Sequence, residues 1–173
     1  KSIPLIEVNK IAEIKGGKRI PKGKSFSEVK TDFPYLRVSD FNEFGSINLE
    51  NIKYISREIK DEISRYTISN KDVYVSIAGT IGKTGIIPPS LENSYLTENA
   101  AKIVLKENCD RDYLYYFTTS LSFDKQAIAQ TRNTAQPKLA LKRLGTVKLP
   151  LHDYLNQKVI AKKAKKYREL VFK

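Results

Sequence analysis

The stretch GTIGKT at residues 79–84 carries the glycine, lysine and threonine that a nucleotide-binding loop uses. Such a loop runs Gly, four residues, then Gly-Lys-Ser/Thr, so that backbone N–H groups wrap the phosphates ahead of a helix. Counting back five positions from Gly82 reaches Ile77, and Gly85, Ile86, Ile87, Pro88 and Pro89 stand where the helix should open. Two prolines forbid helical continuation, and Gly-Ile-Ile favours an extended chain. Upstream, Val73, Val75 and Ile77 alternate with Tyr74 and Ser76, the period of a strand. Residues 72–89 therefore read as strand, glycine turn and second strand. The triphosphate reading fails.

Other catalytic sets fare no better. A metal-dependent nuclease needs a carboxylate pair and a lysine around its metal. Glu-X-Lys occurs at Glu13–Lys15, Glu28–Lys30 and Glu58–Lys60, as chance delivers in a chain this rich in both residues, and no Pro-Asp dipeptide accompanies it. An amino-methyltransferase would show Asn/Asp-Pro-Pro-aromatic, whereas Pro88-Pro89 lies between Ile87 and Ser90. Glu43-Phe44-Gly45-Ser46 lacks the second glycine of a cofactor loop. Cys109 is the single cysteine and His152 the single histidine, so neither a disulfide framework nor a zinc-ligand set can be assembled. A half-buried thiol and a surface imidazole are expected. A binding module is preferred over an enzyme, with no cofactor or metal held by this chain.

Charge indicates what is bound. Thirty-one Lys and Arg against 19 Asp and Glu leave +12, which points to a polyanion. The excess is concentrated: residues 10–30 carry a net +5 and residues 158–173 a net +6. Two local basic surfaces are expected rather than a uniform coat. The length suits one domain with a real core, and no apolar run approaches the ~18 residues of a membrane span. A cytoplasmic, reducing setting follows by default. The chain has no methionine, so it is expected to be a fragment of a longer protein or one whose start was removed.

The elements that must position these groups are legible in outline. Residues 3–14 alternate loosely. GGKRIPKGKSF (16–26) then breaks into a loop, expected to be a flexible arm whose lysines and arginine reach phosphates. A strand is expected around Tyr35–Val38, and extended chain over 47–55. Ser56 should cap a helix through Tyr66, with Ile59, Ile63 and Tyr66 on one face. Ala101–Leu105 reads as a strand. Asp110 should cap a longer helix whose Leu114, Phe117, Leu121 and Ile128 face the core, the tyrosines beside them being core rather than base-stacking groups. A polar loop over 131–138 leads to a short helix and a last strand over 146–150. From Asp153 a lysine-rich amphipathic helix is expected to leave the domain with Leu155, Val159, Ile160, Ala164, Tyr167, Leu170 and Val171 on one side. Strands and helices without βαβ alternation give an α+β fold around a mixed or antiparallel curved sheet with flanking helices.

The order of pieces carries a resemblance. GGKRIPKG, FPYLRVSDF, RYTISNKDVYVSIAGTIGKTGII, LTENAAKIVL, DRDYLYYFTTS and NTAQPKLALKRLGTVKLPL follow one another over about residues 4 to 165. Together they resemble the target recognition domain of type I restriction–modification specificity subunits. Asn156-Gln157-Lys158-Val159-Ile160 matches the family's glutamine-containing helix start, while HDYLN departs from its proline-rich acidic lead-in. The resemblance implies a recognition domain over residues 1–152 and the start of a spacer and docking helix over 153–173. It further implies a non-catalytic chain that reads one half of a bipartite site in double-stranded DNA. Methyltransferase subunits would be its partners, and S-adenosylmethionine, ATP and magnesium would belong to those subunits alone. Self-association, or packing on a second recognition domain, would run through the terminal helix; no membrane is involved. The alternatives are the recognition tail of a single-chain fused restriction–methylation enzyme and, further off, an unrecognised nuclease or NTPase.

In that role Lys15, Lys18, Arg19, Lys22, Lys24 and Lys83 are expected to meet phosphates. The candidates for base edges are Arg37, Ser39, Asp40, Ser76, Arg132, Asn133, Gln136 and Lys138. The loop around 131–138 carries an equally weighted structural reading, in which Thr134-Ala135-Gln136-Pro137 only shapes the fold.

Overall fold

The computed structural model describes residues 2–106, 108–131, 135 and 138–172, the side chain of Gln130 excepted. Three sheets organise it. β1 (Leu5–Glu7) and β10 (Lys148–Pro150) pair antiparallel and bring the two ends of the domain together. The first four-stranded sheet is antiparallel throughout, in the order β2 (Ala12–Gly16), β9 (Ala100–Leu105), β6 (Val73–Ser76), β7 (Thr84–Gly85). The second runs β4 (Lys53–Tyr54), β3 (Pro34–Leu36), β8 (Ser94–Leu96), β5 (Thr67–Ile68), with β3 and β8 parallel. The fold is α+β, as the sequence predicts, but its sheet is divided. β8 leads into β9, so the turn at residues 97–99 joins the two larger sheets.

The predicted hairpin is present: β6 and β7 pair with Val75 opposite Thr84. Its alternation has a different cause from the one periodicity suggests, because every residue of β6 is buried. Val73, Val75 and Ile77 enter the main core with Leu114, Phe117 and Phe123. Tyr74 enters a second core with Leu36, Phe41 and Leu96, stacked on Phe41 at 4.0 Å between ring centroids, and its hydroxyl donates to the Ser46 carbonyl. A third cluster seats Ile59 and Ile63 on Tyr35 and Tyr95.

The helix caps fall where the sequence places them. Ser56 accepts from the Ile59 N–H at the start of α2 (Arg57–Glu62), which ends four residues short of Tyr66. Asp110 accepts from Tyr113 N–H and opens α3 (Arg111–Thr118). The expected single helix then breaks. Ser120 caps a new turn, α4 (Leu121–Phe123), which continues as a π-helical stretch over Asp124–Ile128. That break rotates the face, and Leu121, expected in the core, is exposed. Tyr113, Tyr115 and Phe117 are buried, so the aromatic cluster is core. The short helices α1 (Val8–Ile11) and α5 (Leu141–Thr146) pack on each other beside β2.

The terminal helix α6 (Tyr154–Val171) is capped by Asp153, which accepts from Asn156 N–H, so HDYLN supplies its own helix start. It does not leave the domain at once but lies along α3. Gln157 is wholly buried: its carbonyl oxygen accepts from Asp110 N–H, and its amide donates to the Asn108 and His152 carbonyls. Ala161 belongs to the main core. Further on, the Arg168 guanidinium donates to the Tyr115 hydroxyl and to the Glu43 carbonyl. Only part of the apolar side meets protein; Leu155, Val159, Tyr167, Leu170 and Val171 face solvent. Residue 153 therefore starts a helix without ending the packed unit.

Candidate nucleic-acid interface

The basic arm is not a free strand of chain. Gly17 N–H donates to the Ala100 carbonyl and Lys18 N–H to the Leu96 carbonyl, which ties the arm to the turn between the sheets. The approach is so close that a Cβ on Gly17 would lie 2.0 Å from the Thr97 carbonyl oxygen. The buried Tyr35 donates its hydroxyl to the Lys18 carbonyl; burial pushes that phenol up to about 12, so it remains a donor. Ser27 N–H donates to the Tyr54 carbonyl, and the Phe26 ring packs on Tyr35. The expectation of a flexible arm is corrected: the backbone is anchored at both ends, and the side chains carry the freedom.

Two further segments reach the same turn. Ile77 and Ala78 N–H groups donate to the Asn99 carbonyl, and Thr97 N–H donates to the Leu36 carbonyl. Leu139 N–H donates in turn to Ile77, and Ala78 forms an antiparallel bridge with Lys138. The arm, the end of β3 and the start of the hairpin loop thus converge on residues 96–100, and the 138–139 segment joins them through Ile77 and Ala78. Long-range backbone pairing brings together what the sequence separates.

Not every predicted contact residue is available there. Lys18 and Lys22 are exposed, Lys18 with its ammonium 5.8 Å from the Tyr66 ring centre. Lys15 pairs with Glu13 at 3.1 Å, Arg19 with Glu98 at 2.6 Å, and Lys24 with Glu58. Ser39 and Lys138 are exposed. Arg132, Asn133 and Gln136 lie outside the described residues. The remaining candidates are turned inward. Ser76 is wholly buried; its hydroxyl donates to the Thr80 carbonyl and accepts from Lys83 N–H, so its one donor is spent inside the hairpin. Asp40 is 3% exposed and its carboxylate takes the Arg37 N–H and guanidinium. Arg37 also donates to the Asn51 carbonyl. The Lys83 ammonium donates to the Phe41 carbonyl and sits 3.3 Å from Glu43. Asp40 and Ser76, expected to read bases, have their polar groups engaged in the interior of this structure.

Beside the hairpin is a cleft of about 350 Å³, lined by Lys83, Arg168, Glu43, Asp124 and the hydroxyls of Thr84 and Thr118. Two cations against two carboxylates give no net field for a triphosphate. Cys109 is buried, which pushes its thiol up to about 12, and a thiol of that kind is unreactive. Among the described residues no group of three or more His, Cys, Asp or Glu is placed to hold a metal, and no helix is long and apolar enough to cross a membrane.

The residues missed by sequence reading are Glu98 and Asn99. Thr97-Glu98-Asn99 between two strands has turn composition, but nothing local shows that Arg19, 79 positions away, would meet it. Burial raises the Glu98 carboxyl, but hydrogen bonds from Arg19, its own backbone and Thr97 outweigh burial and hold it below the ordinary glutamate value.

A family model for the type I restriction modification DNA specificity domain matches residues 5–171. The chain is 24% identical over 141 residues to the type I restriction enzyme EcoBI specificity subunit of Escherichia coli, covering 79% of this chain and 28% of that protein. It is 23% identical over 173 residues to the MjaVIII specificity subunit of Methanocaldococcus jannaschii, covering 96% of this chain and 40% of that one. A chain from a solved structure concerned with complex assembly and conformational transition of a type I R-M system superposes with a TM-score of 0.76 at 15% identity, over 97% of this chain and 38% of that chain. The chain thus spans less than half the length of the curated relatives it matches. With the family model running from the first strand to the last turn of α6, the chain belongs to the type I restriction–modification DNA specificity domain family.

Proposed function

We propose that this chain reads one half of a bipartite site in double-stranded DNA and delivers it to the methyltransferase subunits of a restriction–modification complex. It performs no chemistry itself; S-adenosylmethionine, ATP and magnesium serve its partner subunits in the cytoplasm. The observation that carries the reading is the anchored arm, in which backbone hydrogen bonds fix residues 17 and 18 while the Lys18, Arg19 and Lys22 side chains stand in solvent. A fixed row of cations on a moderately basic domain suits a regular polyanion, and phosphate contacts set register before bases are read. Helix α6 serves as the spacer. Its exposed Leu155, Val159, Tyr167, Leu170 and Val171 form the surface on which a second recognition unit or another copy packs.

The test is duplex binding as a function of salt. Replacing Lys18 and Lys22 together by Ala should weaken every duplex and lower the slope of log K against log salt by about 2, near 0.9 for each phosphate no longer neutralised. Tight ATP binding by the chain, or an unchanged salt slope, would sink the proposal.

A further inference from the structure

We propose that Arg19 is a base-reading residue that takes a guanine in the major groove, and that Glu98 is the positioning residue that aims it. This rests on the DNA-reading role proposed above. Sequence alone makes Arg19 one more phosphate cation in a row of lysines; the geometry separates it from them. Its Nε donates to Glu98 Oε1 at 2.6 Å, so one edge of the guanidinium is engaged. The two terminal nitrogens, Nη1 and Nη2, have no partner among the described residues, and the side chain is 77% exposed. A planar fork held by one edge keeps two parallel donors, the pattern that matches guanine O6 and N7.

Glu98 is itself held. Its Oε2 accepts from the Thr97 hydroxyl, which also accepts from Asn99 N–H. The carboxylate is 29% exposed and stands on the turn to which Gly17 and Lys18 are bonded through backbone. Both ends of the Arg19–Glu98 pair are thus fixed to one rigid point. An exposed ion pair contributes little to stability, so the consequence of this one is orientation.

Charge decides between guanine and phosphate. A phosphate gripped by Arg19 would sit beside the ionised Glu98, and like charges at that range repel. Guanine O6 and N7 are neutral acceptors and meet no such penalty. The carboxylate therefore biases its arginine away from backbone and towards a base edge. Lys18 and Lys22 have no acidic partner among the described residues and stay free for phosphates.

The experiment is selection from a random duplex library by the protein purified with the subunits that accompany it, comparing wild type with Arg19→Lys and Glu98→Gln. Lysine keeps the charge and removes the fork. The wild type should enrich a site containing a fixed guanine. Arg19→Lys should lose preference at that position by on the order of tenfold to a hundredfold, with unrelated duplex bound within about threefold of wild type. Glu98→Gln should relax the same position in part and bind unrelated duplex more tightly. If Arg19→Lys weakens all sequences alike and leaves the selected site unchanged, Arg19 is a phosphate contact and the inference fails while DNA reading stands. If the wild type enriches no sequence, the proposed function fails with it.

Discussion

The arm at residues 16–24 and the hairpin at residues 73–85 both join glycines to lysines, yet they commit their polar groups in opposite ways. In the arm the backbone is bonded to the turn at 96–100, and Lys18 and Lys22 remain exposed. In the hairpin the side chains themselves are consumed: Ser76 closes the loop from inside, and Lys83 reaches the Phe41 carbonyl and Glu43. Residue type alone therefore does not mark a contact surface. What counts is whether the side chain's hydrogen-bonding capacity is left over once the fold is complete. By that measure the arm presents the free cations that the proposed function uses, whereas the hairpin's polar groups are spent within the fold.

The most severe test of this contrast is Gly17→Ala. The added Cβ would lie 2.0 Å from the Thr97 carbonyl oxygen and 2.3 Å from that of Leu96, both backbone atoms that cannot swing aside. A cost of about 3 kcal/mol is expected, at the upper end of overpacking effects. Urea unfolding should show it as a lower midpoint with an unchanged slope. A loss under about 1 kcal/mol would mean that the arm is loosely attached, and the two regions would then differ less than their hydrogen bonds indicate.

Glycine at this position also marks the limit of sequence reading. Local rules work for local structure: Ser56, Asp110 and Asp153 cap their helices, and Pro88-Pro89 opens a short helical turn where the extended chain stops. They fail where partners are distant. Nothing around GGKRIPKG shows that it abuts residues 96–100, so the arm reads as flexible and Arg19 as unpaired. Burial on both faces of β6 is likewise invisible, because alternation cannot distinguish one core and solvent from two cores. Leu121 is misplaced for a third reason: Ser120 can cap as well as continue a helix, and capping resets the phase. Of the candidate site, the basic arm is legible in the sequence, while Glu98 becomes apparent only once the two sheets are joined.

Ser76→Ala probes the hairpin side of the contrast with a smaller effect. It removes the donor to Thr80 and leaves Lys83 N–H without its acceptor in a partly buried loop. A partly buried donor left without its acceptor adds some desolvation to the missing bond, so about 1 kcal/mol is expected. Base preference in a duplex selection should be unchanged, because the hydroxyl never faces a partner. A changed preference with stability intact would return Ser76 to the interface and undo the contrast between hairpin and arm.

Lys22→Ala should have the smallest effect on the fold and the cleanest one on binding. Lys22 is exposed and has no hydrogen-bond or ion-pair partner among the described residues. Its neighbours Lys18 and Arg19 are fixed by backbone bonds and by Glu98, while Lys24 is drawn to Glu58. Removing it should leave unfolding stability within about 0.5 kcal/mol. If it meets a phosphate, the slope of log K against log salt should fall by about 0.9, equally for every duplex tested. A measurable loss of stability would show that the ammonium is already engaged in the fold, as Lys83 is. A full salt slope would place it off the DNA path, and the arm's phosphate contribution would then narrow to Lys18, whose backbone the turn at 96–100 and Tyr35 hold in place.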